Sequence, residues 1–201
     1  MTILMSLSVL VFGCLTGCQS FGPLRVEPVV NNRTSELLPN FVLTFYRVDQ
    51  DGNYWFFFSS RTPVEGSFTG ISQTLILRVF WDPKPGVTTL DPSGINTTIR
   101  FIVMTPNGSG MYEGSGFVRI HGKPGDKQLT ISIVDGEMRL TNSSGYFVDA
   151  LGPSRITGDQ NVIYSPDQTL ALIQQARRDF FLATYSQRYE VANPPNAGAL
   201  P

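Results

Sequence analysis

From residue 41 to residue 140, apolar and polar positions alternate in short runs broken by clusters of Gly, Pro, Asn and Asp, the pattern of strands joined by turns. Residues 41–48 and 54–58 are β-branched and aromatic, and the turn formers Asp49-Gln50-Asp51-Gly52-Asn53 between them predict a hairpin. In residues 73–81, Leu75, Leu77, Val79 and Trp81 alternate with Thr74, Ile76, Arg78 and Phe80. The first set is wholly apolar and is expected to face the core. Asp82-Pro83-Lys84-Pro85-Gly86 ends that strand, since proline lacks a ladder donor and glycine permits positive φ.

Residues 97–105 set Ile99, Phe101 and Val103 against Arg100, Ile102 and Met104, and Pro106-Asn107-Gly108-Ser109-Gly110 turns the chain. Residues 111–121 alternate Tyr112, Val118 and Ile120 with Glu113, Phe117 and Arg119, while Gly114 and Gly116 predict a bulge or a close backbone approach. After Gly122-Lys123-Pro124-Gly125-Asp126, residues 128–134 alternate Leu129, Ile131 and Ile133 with Thr130 and Ser132. Asp135-Gly136 then favours a left-handed turn, which predicts a hairpin into Glu137-Met138-Arg139-Leu140.

The period changes near the C-terminus. Ser165-Pro166-Asp167-Gln168 combines an N-cap serine, proline at the first helical position, an acid at the positive end of the dipole and Gln three residues after the cap. Leu172, Ile173, Ala176, Phe180 and Ala183 share one face, with Gln174, Gln175, Arg177 and Arg178 largely off it. A helix over about 166–188 packed on a sheet is expected, followed by a disordered tail over 191–201, where Pro194 and Pro195 bar a helix. The fold class is mainly β, an antiparallel β-sandwich or open barrel with one C-terminal α-helix, in a single domain over 40–190.

The N-terminal end reads differently. Its first 24 residues contain no Lys, Arg, Asp or Glu, and the apolar run from Ile3 to Leu15 is too short for a membrane span but suits a signal peptide. Leu15-Thr16-Gly17-Cys18 closes that run and resembles the lipobox of bacterial lipoproteins; Val11-Phe12-Gly13-Cys14 fits less well because Phe12 is bulky. The resemblance implies that residues 1–17 are a signal peptide, that cleavage falls between Gly17 and Cys18, and that Cys18 is diacylated on sulfur. It implies a membrane-anchored lipoprotein of the bacterial cell envelope, and Gln19, where the family places Asp for inner-membrane retention, favours the outer membrane if the cell has two. Residues 18–39, with Pro23, Pro28 and Pro39, are expected to form a lipidated N-terminus and tether. The alternative is a short strand near residues 26–30, confined by Pro28 to a sheet edge.

Composition narrows the chemistry. Both cysteines, Cys14 and Cys18, belong to this N-terminal segment, so the domain has no thiol for a disulfide, a zinc site or a nucleophile. Charged residues make up 15% of the chain and the net charge is -1, too little positive charge to hold a nucleic-acid backbone. A single histidine, His121, sits at a strand end beside a turn, as an exposed loop histidine rather than one of a metal-binding set. No nucleotide-binding glycine motif is recognisable, and neither a cofactor nor a metal is expected.

Candidate chemistry is sparse. Glu113 paired with Asp135 or Glu137 would suit a carbohydrate-active hydrolase on a β-sandwich, provided the two carboxyls flank a sugar. Asp49-Gln50-Asp51-Gly52-Asn53 has the oxygen density of a calcium loop but lacks the distal glutamate, and a hairpin turn explains the same residues. The triplets starting at Asn32, Asn96, Asn107 and Asn142 match N-x-[ST], and behind a bacterial leader they read as turn residues. Five consecutive aromatics, residues 54–58, place rings on both faces of one strand. Left uncovered, Tyr54, Trp55 and Phe57 would form a ligand face for a glycan or a protein; covered by the helix, they would be core. The expected role is non-catalytic binding or scaffolding, with an envelope protein, peptidoglycan or a glycan as partner.

Overall fold

The computed structural model describes residues 22–29, 37–61, 70–80 and 94–192, with helix side chains only as far as Thr184. The expected leader, Cys14 and Cys18, the strand end at Trp81, Asn32 and the tail from residue 193 lie outside the described residues. The chain runs β1 (Arg25–Pro28), β2 (Leu43–Val48), β3 (Tyr54–Ser59), β4 (Ser72–Val79), β5 (Thr97–Thr105), β6 (Gly108–His121), β7 (Gln128–Gly145), β8 (Ser154–Tyr164) and α1 (Pro166–Ala192). The protein is mainly β, with a single helix among the described residues.

Among the described residues all the strands belong to one sheet, ordered β1-β8-β2-β3-β4-β5-β6-β7, and β7 pairs back onto β8. Strands β2 to β8 therefore form a ring, closed by a short parallel pairing of Phe45 and Tyr46 in β2 with Ile163 and Tyr164 in β8. The other pairings between named strands are antiparallel. Closure removes most of the exposed edge that an open sheet would carry.

The interior is filled by the inward set of each strand. Tyr54, Phe56 and Phe58 of β3, Leu75, Leu77 and Val79 of β4, and Ile99 and Phe101 of β5 share one core with Tyr112, Val118, Leu129, Ile131 and Ile133. For β4 to β7 these are sets that the alternation predicts; for β3 it places rings on both faces without saying which face is inward. Tyr46 is fully buried, and its hydroxyl donates to the Asp126 carbonyl at 2.5 Å, tying the β6–β7 loop across one end of the barrel.

Two long bent strands complete the barrel, and here the structure corrects the sequence reading. Asp135-Gly136 does not turn the chain: β7 continues through it, with a register break between Ile133 and Gly136 against β8. Gly136 is absent from the positive-φ glycines, so the left-handed turn favoured by Asp-Gly is not adopted. Tertiary pairing outweighs the local preference because both edges of β7 are occupied, by β6 and by β8. Gly114 and Gly116 mark the close approach expected of them, since a Cβ on either would overlap backbone of Glu137 or Asp135. The β6–β7 register shifts between Phe117 and Val118, the position of a bulge.

On the opposite edge of β6, beyond its last pair with β5, Asn96 takes over. Fully buried just before β5, it donates from Nδ2 to the Val118 carbonyl (2.7 Å) and accepts from the Val118 N–H at Oδ1 (2.8 Å), standing in for a strand neighbour. Asn96 is thus a structural amide rather than a turn residue.

Part of the expected tether is also sheet. Arg25–Pro28 pairs with Thr157–Ser154 of β8, and Leu24 and Val26 are 2% and 0% exposed in the core. Two buried aliphatic side chains and a free stretch of β8 edge decide for the strand, and Pro28 sits at its end as edge placement requires.

The helix begins where expected. Ser165 Oγ donates to Gln168 Oε1 at 2.8 Å, and the Ser165 carbonyl accepts from the Thr169 N–H at 2.9 Å. Ile173 and Phe180 pack on the outside of the barrel against Phe57, Ile76 and Ile102, with Trp55, Met104, Met111, Leu172 and Ala176 at the margin.

Replacing Asn96 by Ala leaves a buried N–H and carbonyl of Val118 without partners. Asn96→Ala is expected to cost about 2 kcal/mol or more, read as a lower urea midpoint at unchanged m-value; an unchanged midpoint contradicts the role given to this amide.

Candidate functional site

Among the described residues the barrel interior is packed, and the clefts they form lie on its outer face. Two outward rows cross the sheet: Phe57, Ile76, Arg100, Glu113 and Arg139 in one, and Trp55, Arg78, Thr98, Ser115, Glu137 and Arg155 in the other. Helix α1 covers the apolar start of the first row and leaves its charged end open. A cleft of about 360 Å³ lies between the helix and the sheet, lined by Arg100, Met111, Asn142, Arg177, Phe180 and Phe181.

The hairpin turn sets the geometry of this region. Asp49 accepts from the N–H groups of Asp51 and Asn53, from the Asn53 amide at both oxygens, and from Trp55 Nε1 at 2.9 Å. Burial pushes the Asp49 carboxyl up, but the bonds from Trp55, Asn53 and Asp51 outweigh it and hold the pKa at about 2. Both oxygens are occupied by donors, which the hairpin reading explains and a calcium ligand would not need. Among the described residues no cluster of three or more His, Cys, Asp or Glu is placed to hold a metal.

The indole so fixed carries two cations. Arg78 and Arg177 place their guanidinium carbons 5.3 and 5.8 Å from the Trp55 ring centroid. Burial lowers the pKa of Arg177 from its ordinary value, and the charge of Arg100 lowers it further. Arg100 is itself bound by Glu113 at 2.5 Å. The cleft thus holds two neighbouring guanidiniums, and Glu113 is engaged with only one of them.

The expected ligand face of Tyr54, Trp55 and Phe57 does not exist as one surface. Tyr54 is 4% exposed and points into the barrel, whereas Phe57 is 3% exposed beneath α1. Alternation puts neighbours on opposite faces, and the helix covers the outer one; only Trp55 keeps partial exposure, at the margin of the cleft. The five-aromatic run is a strand buried on both sides.

The three carboxylates lie outside the barrel and are engaged by arginines. Glu113 Oε1 accepts from Nε and Nη2 of Arg100, and its Oε2 accepts from Thr141 Oγ1. Arg155 lies 3.2 Å from Asp135 and 3.6 Å from Glu137. Glu113 and Glu137 do line a second cleft of about 320 Å³, together with Arg139. A hydrolase would need one of them free to give a proton and the other free to receive one or to attack carbon. His121 is exposed, with Nε2 3.1 Å from Ser132 Oγ.

Arg100, Arg177 and Phe181 were not singled out from the sequence. Arg100 alternates with apolar residues as any outward strand position does, and Arg177 sits just off the apolar helix stripe. Their encounter depends on where the helix crosses the sheet, which no local pattern encodes.

Asp49 gives a pH dependence of known sign. Its folded-state pKa lies below the unfolded value, so its stabilisation is complete above about pH 4 and is lost as pH falls towards about 2. Partial exposure limits the effect to at most about 2 kcal/mol. Urea unfolding of the parent should weaken across that window more than that of Asp49→Asn; identical slopes contradict the assignment.

No protein-family model, curated protein or solved structure matches this chain.

Proposed function

We propose that this chain is a lipid-anchored bacterial envelope protein that works by binding or scaffolding, not by turnover. The observation that carries the binding half is a barrel whose interior is filled by its own side chains, with a cation-lined apolar cleft on the outside. The arginine partners of Glu113, Asp135 and Glu137 support it, because carboxylates held in this way are poorly placed for acid-base work.

Placement rests on the Leu15-Thr16-Gly17-Cys18 segment and its resemblance to a lipobox. Diacylated Cys18 would supply two chains, enough for durable attachment. The proposed location is the cell envelope, with the outer membrane favoured by Gln19 in a cell with two membranes, and the partner is an envelope protein, peptidoglycan or a glycan. The edge strand β1 adds a consequence. Gly22 is held to the barrel through its carbonyl, which accepts from the Asp159 N–H at 2.7 Å. Gly22 lies four positions after Cys18, a reach of at most about 14 Å. The lipid would keep the barrel beside the bilayer rather than on a long leash.

The test is the mass of the mature N-terminus from membranes of cells with active lipoprotein processing. Cleavage before Cys18 with a diacylglyceryl adduct is expected, and Cys18→Ala should move the protein out of the detergent-soluble membrane fraction. An unmodified Cys18, or cleavage elsewhere, overturns the placement.

A further inference from the structure

We propose that the cleft beneath the C-terminal half of α1 binds an anionic amphiphile: a carboxylate or phosphate head on the two arginines, with an apolar tail along the helix. This deepens the binding reading of the outer face and rests on it. Three observations carry it.

The first is charge. Arg100 and Arg177 line one cleft, and Glu113 binds Arg100 alone, through Nε and Nη2. Among the described residues, Arg177 has no carboxylate within ion-pair distance, and its guanidinium lies over the Trp55 ring. Two like charges brought together without matching counter-charge repel, and an anion between them relieves the repulsion. A guanidinium fork also matches the planar geometry of carboxylate and phosphate.

The second is the wall beside the charge. Met111, Phe180 and Phe181 line the same cleft, and Phe181 remains 64% exposed although it is a large apolar side chain. Leu182, next along the helix, is 61% exposed. An inorganic anion makes no use of this surface, whereas a tail covers it.

The third is support. Trp55 Nε1 is fixed by Asp49, and the Trp55 ring holds Arg177 over the sheet, so one cation of the pair is positioned before any ligand arrives. The volume, about 360 Å³, is at the small end for ligand sites and suits one head with a short stretch of tail.

The experiment uses the full chain carrying Cys18→Ser, so that no acyl chain of its own competes. Calorimetric titration with dodecyl phosphate below its micelle concentration is compared with dodecyl maltoside, which keeps the tail and loses the charge, and with inorganic phosphate, which keeps the charge and loses the tail. Dodecyl phosphate is expected to bind more tightly than either. Arg177→Gln should weaken it at least about tenfold, the scale of a lost charge-assisted pair, while Arg178→Gln on the neighbouring exposed position leaves it unchanged. Phe181→Ser should weaken dodecyl phosphate and leave inorganic phosphate as it was.

Vesicles of phosphatidylcholine with and without phosphatidylglycerol identify the source of the head. Binding of only the phosphatidylglycerol vesicles, lost in Arg177→Gln, supports a bilayer lipid; binding of dodecyl phosphate alone supports a free amphiphile. Equal binding of dodecyl maltoside, an unaffected Arg177→Gln, or no binding by protein with an unchanged circular dichroism spectrum and Tm overturns the proposal. None of these results alters the mass at Cys18, so the ligand and the anchor fail separately.

Discussion

The structure depends on strand β3 being buried on both faces. Tyr54, Phe56 and Phe58 fill the barrel, while Phe57, between them in sequence, lies beneath α1. A strand carrying aromatics on both sides exposes a large apolar area unless both are covered, and one closed sheet covers only the inner one. The helix answers that demand. Its apolar stripe fits over Phe57, Ile76 and Ile102, and its path across the sheet then decides which polar residues meet on the outside.

From that crossing the electrostatics follow. The helix brings Arg177 to Trp55 and to Arg100, which originate on different elements, and the Asp49 turn keeps the indole in place. A side chain chosen for a hairpin turn thus supports, through one ring, a cation at the mouth of a cleft. Interior packing and outer chemistry are separate consequences of the same alternation. The inner set makes a solid barrel, and the outer set, where the helix does not reach, makes the charged surface.

Much of the fold was legible in local pattern. The inward sets of β4 and β5, the capped start of α1 and the close approach at Gly114 and Gly116 follow from side-chain period and backbone freedom alone. The failures were places where a distant partner overrode a local signal. Asp135-Gly136 reads as a turn but lies in a strand paired on both edges, and Asn96 reads as a turn residue but bonds the β6 backbone beyond the start of β5. Arg25–Pro28, rich in loop signals, was captured by the edge of β8. The site was less legible still. The aromatic run drew attention to Tyr54, Trp55 and Phe57, whereas the cleft belongs to Arg100, Arg177 and Phe181, joined only by the crossing of helix and sheet.

The helix-on-barrel contact is therefore the claim on which the rest stands, and methyl-labelled NMR tests it most directly. The Ile173 methyl groups should show nuclear Overhauser contacts to the side chains of Phe57, Ile76 or Ile102. Contacts confined to α1 itself, with Phe57 open to a soluble relaxation agent, would contradict the two-sided burial of β3 and with it the cleft.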